Sequence, residues 1–481
     1  MNSNTLAFAL TLLAFTAACD SSDVGVEEDV GSDSAGLASP PQLTDPHPCP
    51  GMPGFTCSTL DAPLDYRHPA RETLKLQVAT ADNADAPKGV LLFLTGGPGQ
   101  PGVPFISRLK TRIPEVANDY RLVMIDQRGT GELGAIDCPA LQREIGGGSD
   151  IWTPTPDAVA ECASLLGDKA PFYSSDDTVA DLERLRRALG VPKMVLDGVS
   201  YGTITAARYA LAHPRNVRKV VLDSVAPYHI TPDASLYLTG QRASARILRD
   251  ACAAAPACDF DPAEDLAAVV RSRDAEAGVR LFHTVVTYEY VDPSYRNPNP
   301  PNFPPGQGDM VGALHEARQG NPAHLDRLVA ILRPGGGSIA DFSMGLHVAT
   351  VCADYRFVWG NAATPIELRG PLLDFAERRL RDSDTWPFTP AVAVNQGFSK
   401  TCLQWPVERP GSNPMGPLPD IPILLLNGDH DMATPLEWAR QVAANAARGE
   451  LVIVKGEAHS IQNRERGRAG RDALIRFLAK P

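Results

Sequence analysis

Residues 88–94, 121–126, 194–196, 217–225, 421–426 and 451–454 are short stretches dominated by Val, Leu and Ile. Runs of this length and composition predict strands buried on both faces, as in a parallel sheet. Between them the apolar residues recur at helical spacing. In 178–189, Val179, Leu182, Leu185 and Leu189 share a face, Thr178 and Asp181 fit a capping box, and Gly190 with Pro192 ends the helix. Residues 203–211 repeat the pattern and stop at His213-Pro214. Strands alternating with helices in this way predict an α/β fold around a mostly parallel sheet.

The pattern changes from about 229 to 400. Strand-like runs thin out, amphipathic helices are predicted over 236–254, 263–277, 323–332 and 366–381, and 292–308 contains six prolines. Such a stretch cannot continue a parallel sheet, and it is expected to form a mainly helical lid inserted over the edge that carries the chemistry. The sheet resumes at 421 and the chain closes with a helix over 471–478. The predicted core therefore comes in two parts, 49–228 and 401–481, separated by the lid at 229–400.

The N-terminus belongs to neither part. Residues 1–18 carry no charge and contain an apolar run too short to span a bilayer, as in a signal peptide. Thr16-Ala17-Ala18-Cys19 resembles a bacterial lipobox, which would make Cys19 a lipid anchor and the only link to a membrane. Residues 19–48 hold seven carboxylates, no Lys or Arg and little to bury, and are expected to be a solvated, disordered tether. These acids account for much of the net charge of −12, and no basic field points to a nucleic-acid partner. Setting Cys19 aside leaves an even set: Cys49, Cys57, Cys138, Cys162, Cys252, Cys258, Cys352 and Cys402. Nearest-neighbour pairing is expected in an exported, disulfide-bonded chain, as a cell-envelope lipoprotein or in secreted form. No Cys or His spacing suggests a metal site, and a monomer is expected.

The chemistry is concentrated at a few strand ends. Gly198-Val199-Ser200-Tyr201-Gly202 lies between a predicted strand and a predicted helix, which is the setting of a nucleophile elbow. A serine hydroxyl needs an imidazole to take its proton, and the imidazole needs a carboxylate to orient it. In α/β-hydrolases these follow in the order Ser, then Asp or Glu, then His. Asp431 and His459, each just after a late strand, fit that order, with Asp429, His213 and His430 as competitors. Backbone N–H groups must also await the oxyanion. Tyr201, next to the nucleophile, is expected to supply one, and Gly97 the other, with Gly96 the alternative in the Gly96-Gly97-Pro98-Gly99 loop after residues 88–94.

With these residues in place, the chain resembles the proline iminopeptidase and tripeptidyl aminopeptidase family of serine peptidases, in its secreted tripeptidyl aminopeptidase-like branch. The resemblance rests on Gly96 to Gly99, on Asp126-Gln127-Arg128-Gly129-Thr130-Gly131, on Gly198 to Thr203, on Cys352-Ala353-Asp354, on Cys402 with Trp405-Pro406, and on Asp431 to Pro435. It implies an α/β-hydrolase fold and cleavage of short peptides from a free N-terminus without a cofactor. It also implies lid carboxylates that meet the α-ammonium group, for which Asp354 and Glu289 are the candidates. Two other outcomes stay open: an esterase or lactonase on the same scaffold, and a surface lipoprotein that only binds.

Overall fold

The apolar runs become the middle of a single sheet. A computed structural model describes residues 40–146, 150–254, 258–301 and 303–480, so the predicted signal peptide, Cys19 and the tether as far as residue 39 lie outside the described residues. The strands are β1 (Leu43–Pro48), β2 (Phe55–Pro63), β3 (Thr73–Ala81), β4 (Val90–Leu94), β5 (Arg121–Ile125), β6 (Met194–Val199), β7 (Val217–Asp223), β8 (Ile423–Gly428) and β9 (Gly449–Val454). They lie side by side in the order β1-β2-β3-β5-β4-β6-β7-β8-β9. The first three are antiparallel to their neighbours, and β5, β4, β6, β7, β8 and β9 run parallel, giving the α/β-hydrolase fold.

Side chains on a strand alternate between faces, and here both faces are covered. Leu92, Leu94, Leu196, Leu222 and Leu425 pack with Val179, Leu182, Leu185 and Tyr209 from the helices Ser175–Ala188 and Tyr201–Ala212. On the other face Leu91, Phe93, Val195, Val221 and Leu424 meet Ile106, Leu109, Leu474 and Phe477 from Ile106–Arg112 and Ala469–Ala479. Each such residue contributes about 1.5–3 kcal/mol by leaving water.

β7 and β8 are parallel neighbours, although everything from 224 to 422 lies between them in sequence. That segment leaves the sheet, forms helices including Leu238–Ala253, Pro262–Arg271, Ala275–Thr287, Met310–Arg318, Met344–Asp354 and Gly397–Gln404, and returns beside the strand it left; it contributes no strand to the sheet among the described residues. Its helices share a hydrophobic cluster with Tyr201, Ile204, Met432 and Trp438 from the sheet side.

Three local expectations need correction. The predicted tether ends before residue 48, because Leu43–Pro48 is β1, paired with β2 (Leu43 opposite Leu60, Pro48 opposite Thr56). An edge strand is held by backbone hydrogen bonds to one neighbour, so its side chains can stay exposed and polar, and proline is tolerated there. The helix expected over 178–189 begins a turn earlier, at Ser175, with Ser174 and Asp177 forming the capping box. The single helix expected over 263–277 is two, because the Asp274 side chain accepts from the Ala277 N–H at 2.7 Å and starts a new one.

The cysteines pair as Cys49–Cys57, Cys138–Cys162, Cys252–Cys258 and Cys352–Cys402, the nearest-neighbour order. Among the described residues no helix is long and apolar enough to cross a membrane.

Candidate active site

Ser200 sits between β6 and the helix Tyr201–Ala212 with φ 58° and ψ −126°. A non-glycine residue in such a conformation stores about 1–3 kcal/mol of strain and persists only where its surroundings enforce it. The surroundings here are backbone. A side chain on Gly198 would strike the Gly202 carbonyl, and one on Gly202 would strike the carbonyls of Leu94 and Thr95, so strand and helix can meet this closely only through glycine. The Ser200 N–H donates to the Asp223 carbonyl at 2.9 Å, which fixes the elbow to the end of β7.

Asp431 follows β8 and is fully buried. Its carboxylate accepts the Thr434 N–H at 2.7 Å and the Thr434 hydroxyl at 2.9 Å, and both its oxygens lie 3.1 Å from His459 Nδ1. His459 follows β9 and is held from β7. The Ser460 N–H donates to Ser224 Oγ at 2.6 Å, and the Asp223 carboxylate accepts the N–H groups of Ile461 and Gln462 at 2.9 and 2.8 Å. Burial pushes the Asp223 carboxyl up to about 6. Asp223 thus ties the Ser200 backbone to the His459 loop. The only sequence signal for this was an acid closing an apolar run.

Ser200, Tyr201, Gly96, Gly97 and His459 line one cavity of about 570 Å³, whose walls include the aromatic rings of Tyr237, Tyr355, Phe398 and Trp438. Among the described residues, the backbone N–H groups of Gly97 and Tyr201 have no acceptor within the protein. The glycine loop is anchored by Asp126, whose Oδ1 accepts the Gly102 and Val103 N–H groups at 2.8 Å each. Burial pushes the Asp126 carboxyl up to about 6. Two residues on, the Arg128 guanidinium grips Asp181 through Nε and Nη2, at 2.7 Å each, and donates to the Phe172 carbonyl at 2.7 Å. The Asp126 to Gly131 motif thus supports the glycine loop through Asp126, and none of its residues lines the cavity.

Of the competitors, Asp429 accepts the Gly456 N–H at 2.7 Å, His430 Nδ1 lies 2.7 Å from the Pro293 carbonyl, and His213 caps the far end of the helix that begins at Tyr201.

Asp354 and Glu289 lie outside the lining of the cavity. Asp354 is buried behind Tyr201, with the Tyr201 hydroxyl donating to it at 3.3 Å, Arg208 Nη1 at 3.3 Å and the Ser175 N–H at 3.2 Å. Its carboxylate braces the helix that follows the nucleophile candidate and is fully buried. Glu289 is buried beneath the Asp431 turn, where its oxygens accept the Met432 and Ala433 N–H groups at 2.6 and 3.2 Å. Among the described residues, the carboxylate that does line the cavity is Asp150, which the sequence did not mark out in its polar loop. It forms an ion pair with the buried His347, whose Nδ1 lies 2.8 Å from the Pro98 carbonyl.

Glu289, Asp431 and His459 bring ligand atoms within 4.8 Å of one another. Each faces a donor or acceptor of the network just described, so a cation there would have to displace the Asp431 to His459 hydrogen bond.

Burial, and after it the Asp431 charge, push the Glu289 carboxyl well above the usual glutamate range. The native state then holds this proton more tightly than the unfolded chain does, so its contribution to stability falls as pH rises above the ordinary glutamate value of about 4.3. Glu289→Gln cannot ionise. Compared by urea unfolding from mildly acid to mildly alkaline buffer, the variant is expected to gain on the wild type as pH rises. Parallel profiles would contradict the assignment.

The family model for the alpha/beta hydrolase fold matches residues 89–267. The model for TAP-like proteins matches residues 388–481. The chain is 30% identical over 189 residues to a tripeptidyl aminopeptidase of Streptomyces coelicolor, a match that spans 35% of this chain and only 35% of that relative. It is 25% identical over 465 residues to serine protease Hip1 of Mycobacterium tuberculosis, covering 85% of this chain and 82% of the relative. A probable proline iminopeptidase of Streptomyces coelicolor is 33% identical over 135 residues, covering 28% of this chain and 32% of the relative.

Proposed function

Because this chain belongs to the α/β-hydrolase-fold family of proline iminopeptidases and tripeptidyl aminopeptidases, we propose that it is an exported serine aminopeptidase acting on short peptides with a free N-terminus, of tripeptidyl or prolyl type. The observation that supports this most is the Asp431 carboxylate 3.1 Å from His459 Nδ1 on the wall of the cavity that also holds Ser200. The paired cysteines support export, since such bonds persist in oxidising compartments.

In this mechanism Ser200 Oγ attacks the scissile carbonyl carbon while His459 Nε2 takes the hydroxyl proton. Asp431 accepts the Nδ1–H, which keeps Nε2 free as a base and stabilises the imidazolium that forms. The carbonyl oxygen becomes an oxyanion held by the Gly97 and Tyr201 N–H groups. The C–N bond then breaks, His459 gives its proton to the leaving amine, and the acyl group remains on Ser200 as an ester. Water, deprotonated by His459, attacks this ester, and the proton returns to Ser200 Oγ as the peptide acid departs.

The α-ammonium group of the acyl part needs an anion in a partly desolvated cavity. Asp150 fills that role in place of Asp354 and Glu289.

Tripeptidyl p-nitroanilides with free and acetylated N-termini test the reading. Acetylation is expected to lower kcat/KM at least about tenfold, the scale of a lost charge-assisted hydrogen bond, and Asp150→Asn is expected to narrow the gap. Equal turnover of both forms, or turnover of simple acyl esters but of no peptide, would favour the esterase.

A further inference from the structure

Arg108, Arg112 and Arg464 line the same cavity as Ser200 and His459. Among the described residues none of the three is paired with a carboxylate, whereas Arg468 and Arg471 nearby are paired with Glu115 and Glu465. The rings and the amide that they contact are neutral. The Arg108 guanidinium lies 5.0 Å from the Phe105 ring centroid, that of Arg464 lies 4.5 Å from the Tyr290 ring, and Arg112 Nη1 donates to Asn463 Oδ1. Arg112 is half-buried, while Arg108 and Arg464 are open to solvent. Burial, and then the charges of Arg108, Arg464 and Arg471, push the Arg112 guanidinium below its ordinary range. Like charges crowded on a cavity wall raise the local concentration of anions.

The side of the cleft on which they sit follows from His459. Arg464 ends the short helix Ile461–Arg464 that begins two residues after the imidazole. The Tyr290 ring joins the two groups, edge-on to His459 with centroids 5.8 Å apart and beneath the Arg464 guanidinium. Arg112 reaches the same helix through Asn463, and Arg108 sits one helical turn before it on Ile106–Arg112. In a serine peptidase the imidazole delivers its proton to the leaving amine, so the part of the peptide beyond the scissile bond lies on the imidazole side.

We propose that Arg108, Arg112 and Arg464 form an anion subsite for a carboxylate carried by the leaving part of the substrate. This rests on the peptidase reading above and narrows its substrate class to peptides that place negative charge shortly after the cleaved bond. That charge has two sources: the α-carboxylate of a very short peptide, or an Asp or Glu side chain in a longer one. Guanidinium groups meet both through paired N–H donors.

Two matched pairs of free-N-terminus peptides test it on the full chain. One pair differs as C-terminal acid against amide. The other is amidated throughout and differs as Asp against Asn beyond the scissile bond. For at least one pair the charged member is expected to have a kcat/KM at least about tenfold higher, as a charge-assisted contact allows. Added salt is expected to shrink that ratio, as it does for any exposed charge pair. In an Arg108→Gln, Arg464→Gln double variant the ratio is expected to fall towards one. A ratio confined to the first pair identifies the α-carboxylate, and one confined to the second identifies the side chain; either supports the subsite. Wild-type ratios near one in both pairs would overturn it even where the double variant does not fold, as would a ratio that survives in the folded variant. Cleavage of the neutral members alone leaves the peptidase reading standing, whereas no cleavage of any member removes both.

Discussion

Ser200→Ala is expected to abolish peptide hydrolysis, lowering kcat by about 10⁴ to 10⁶-fold, the range seen when a serine nucleophile acting as a unit with its base is removed. No other group in the cavity can replace it, because the nucleophile must stand at the elbow beside the Gly97 and Tyr201 N–H groups. The loss is expected without a loss of fold. The Ser200 Oγ makes no hydrogen bond to the protein among the described residues, and the bonds that hold the elbow are backbone bonds, Ser200 N–H to the Asp223 carbonyl at 2.9 Å among them. Thermal unfolding of the variant should therefore stay close to that of the wild type while turnover vanishes. Equal loss of stability would place Ser200 in the architecture instead of the chemistry.

Asp431→Asn is expected to cost about 10³ to 10⁴-fold in kcat at neutral pH with a smaller effect on KM. The carboxylate accepts from three directions at once: Thr434 N–H, Thr434 hydroxyl and His459 Nδ1. An amide offers one acceptor oxygen and an NH₂ donor in the same volume. With the Thr434 N–H holding the oxygen, the NH₂ faces the imidazole, which can meet it only with an unprotonated Nδ1. The proton then sits on Nε2, where the base should be. A folded variant that keeps wild-type kcat would remove Asp431 from the mechanism and leave it as the cap of its own turn.

The parts of this molecule that could be read in advance are those where one physical rule dominates. Central strands are buried on both faces, so 88–94, 121–126 and 421–426 stood out as apolar runs and became β4, β5 and β8, with ends shifted by a residue or two. β2 and β3 did not stand out. Their buried residues include Ser58, Thr59 and Thr80, so no apolar run marks them. The helix Met344–Asp354 was missed for the opposite reason: it is buried along its whole length and has no polar stripe to give a helical period. At 174–181 two pairs with capping-box spacing overlap, and spacing alone points to Thr178 with Asp181 where the structure uses Ser174 with Asp177. Tertiary contacts make that choice, since the Ser175 N–H at the helix start donates to Asp354.

The same division runs through the site. Ser200, Asp431 and His459 were legible because each lies just beyond a strand, at the edge where a parallel sheet gathers its loops. Asp354 and Glu289 had suitable chemistry for an ammonium partner, but their carboxylates are turned inward, onto Arg208 and the Tyr201 hydroxyl in one case and onto backbone N–H groups in the other. Orientation of this kind is set by packing between distant segments. The same applies to Asp150 and to the three arginines, which share a wall only once Ile106–Arg112 and Ile461–Arg464 are brought together.

The central claim is that Ser200 is a nucleophile activated by His459. Incubating the protein with a serine-directed fluorophosphonate and mapping the adduct by peptide mass spectrometry tests it most directly. A single adduct on Ser200, formed at least about a thousandfold more slowly in His459→Ala, is the predicted result; an adduct on another residue, or none from a protein that still cleaves peptides, would contradict it.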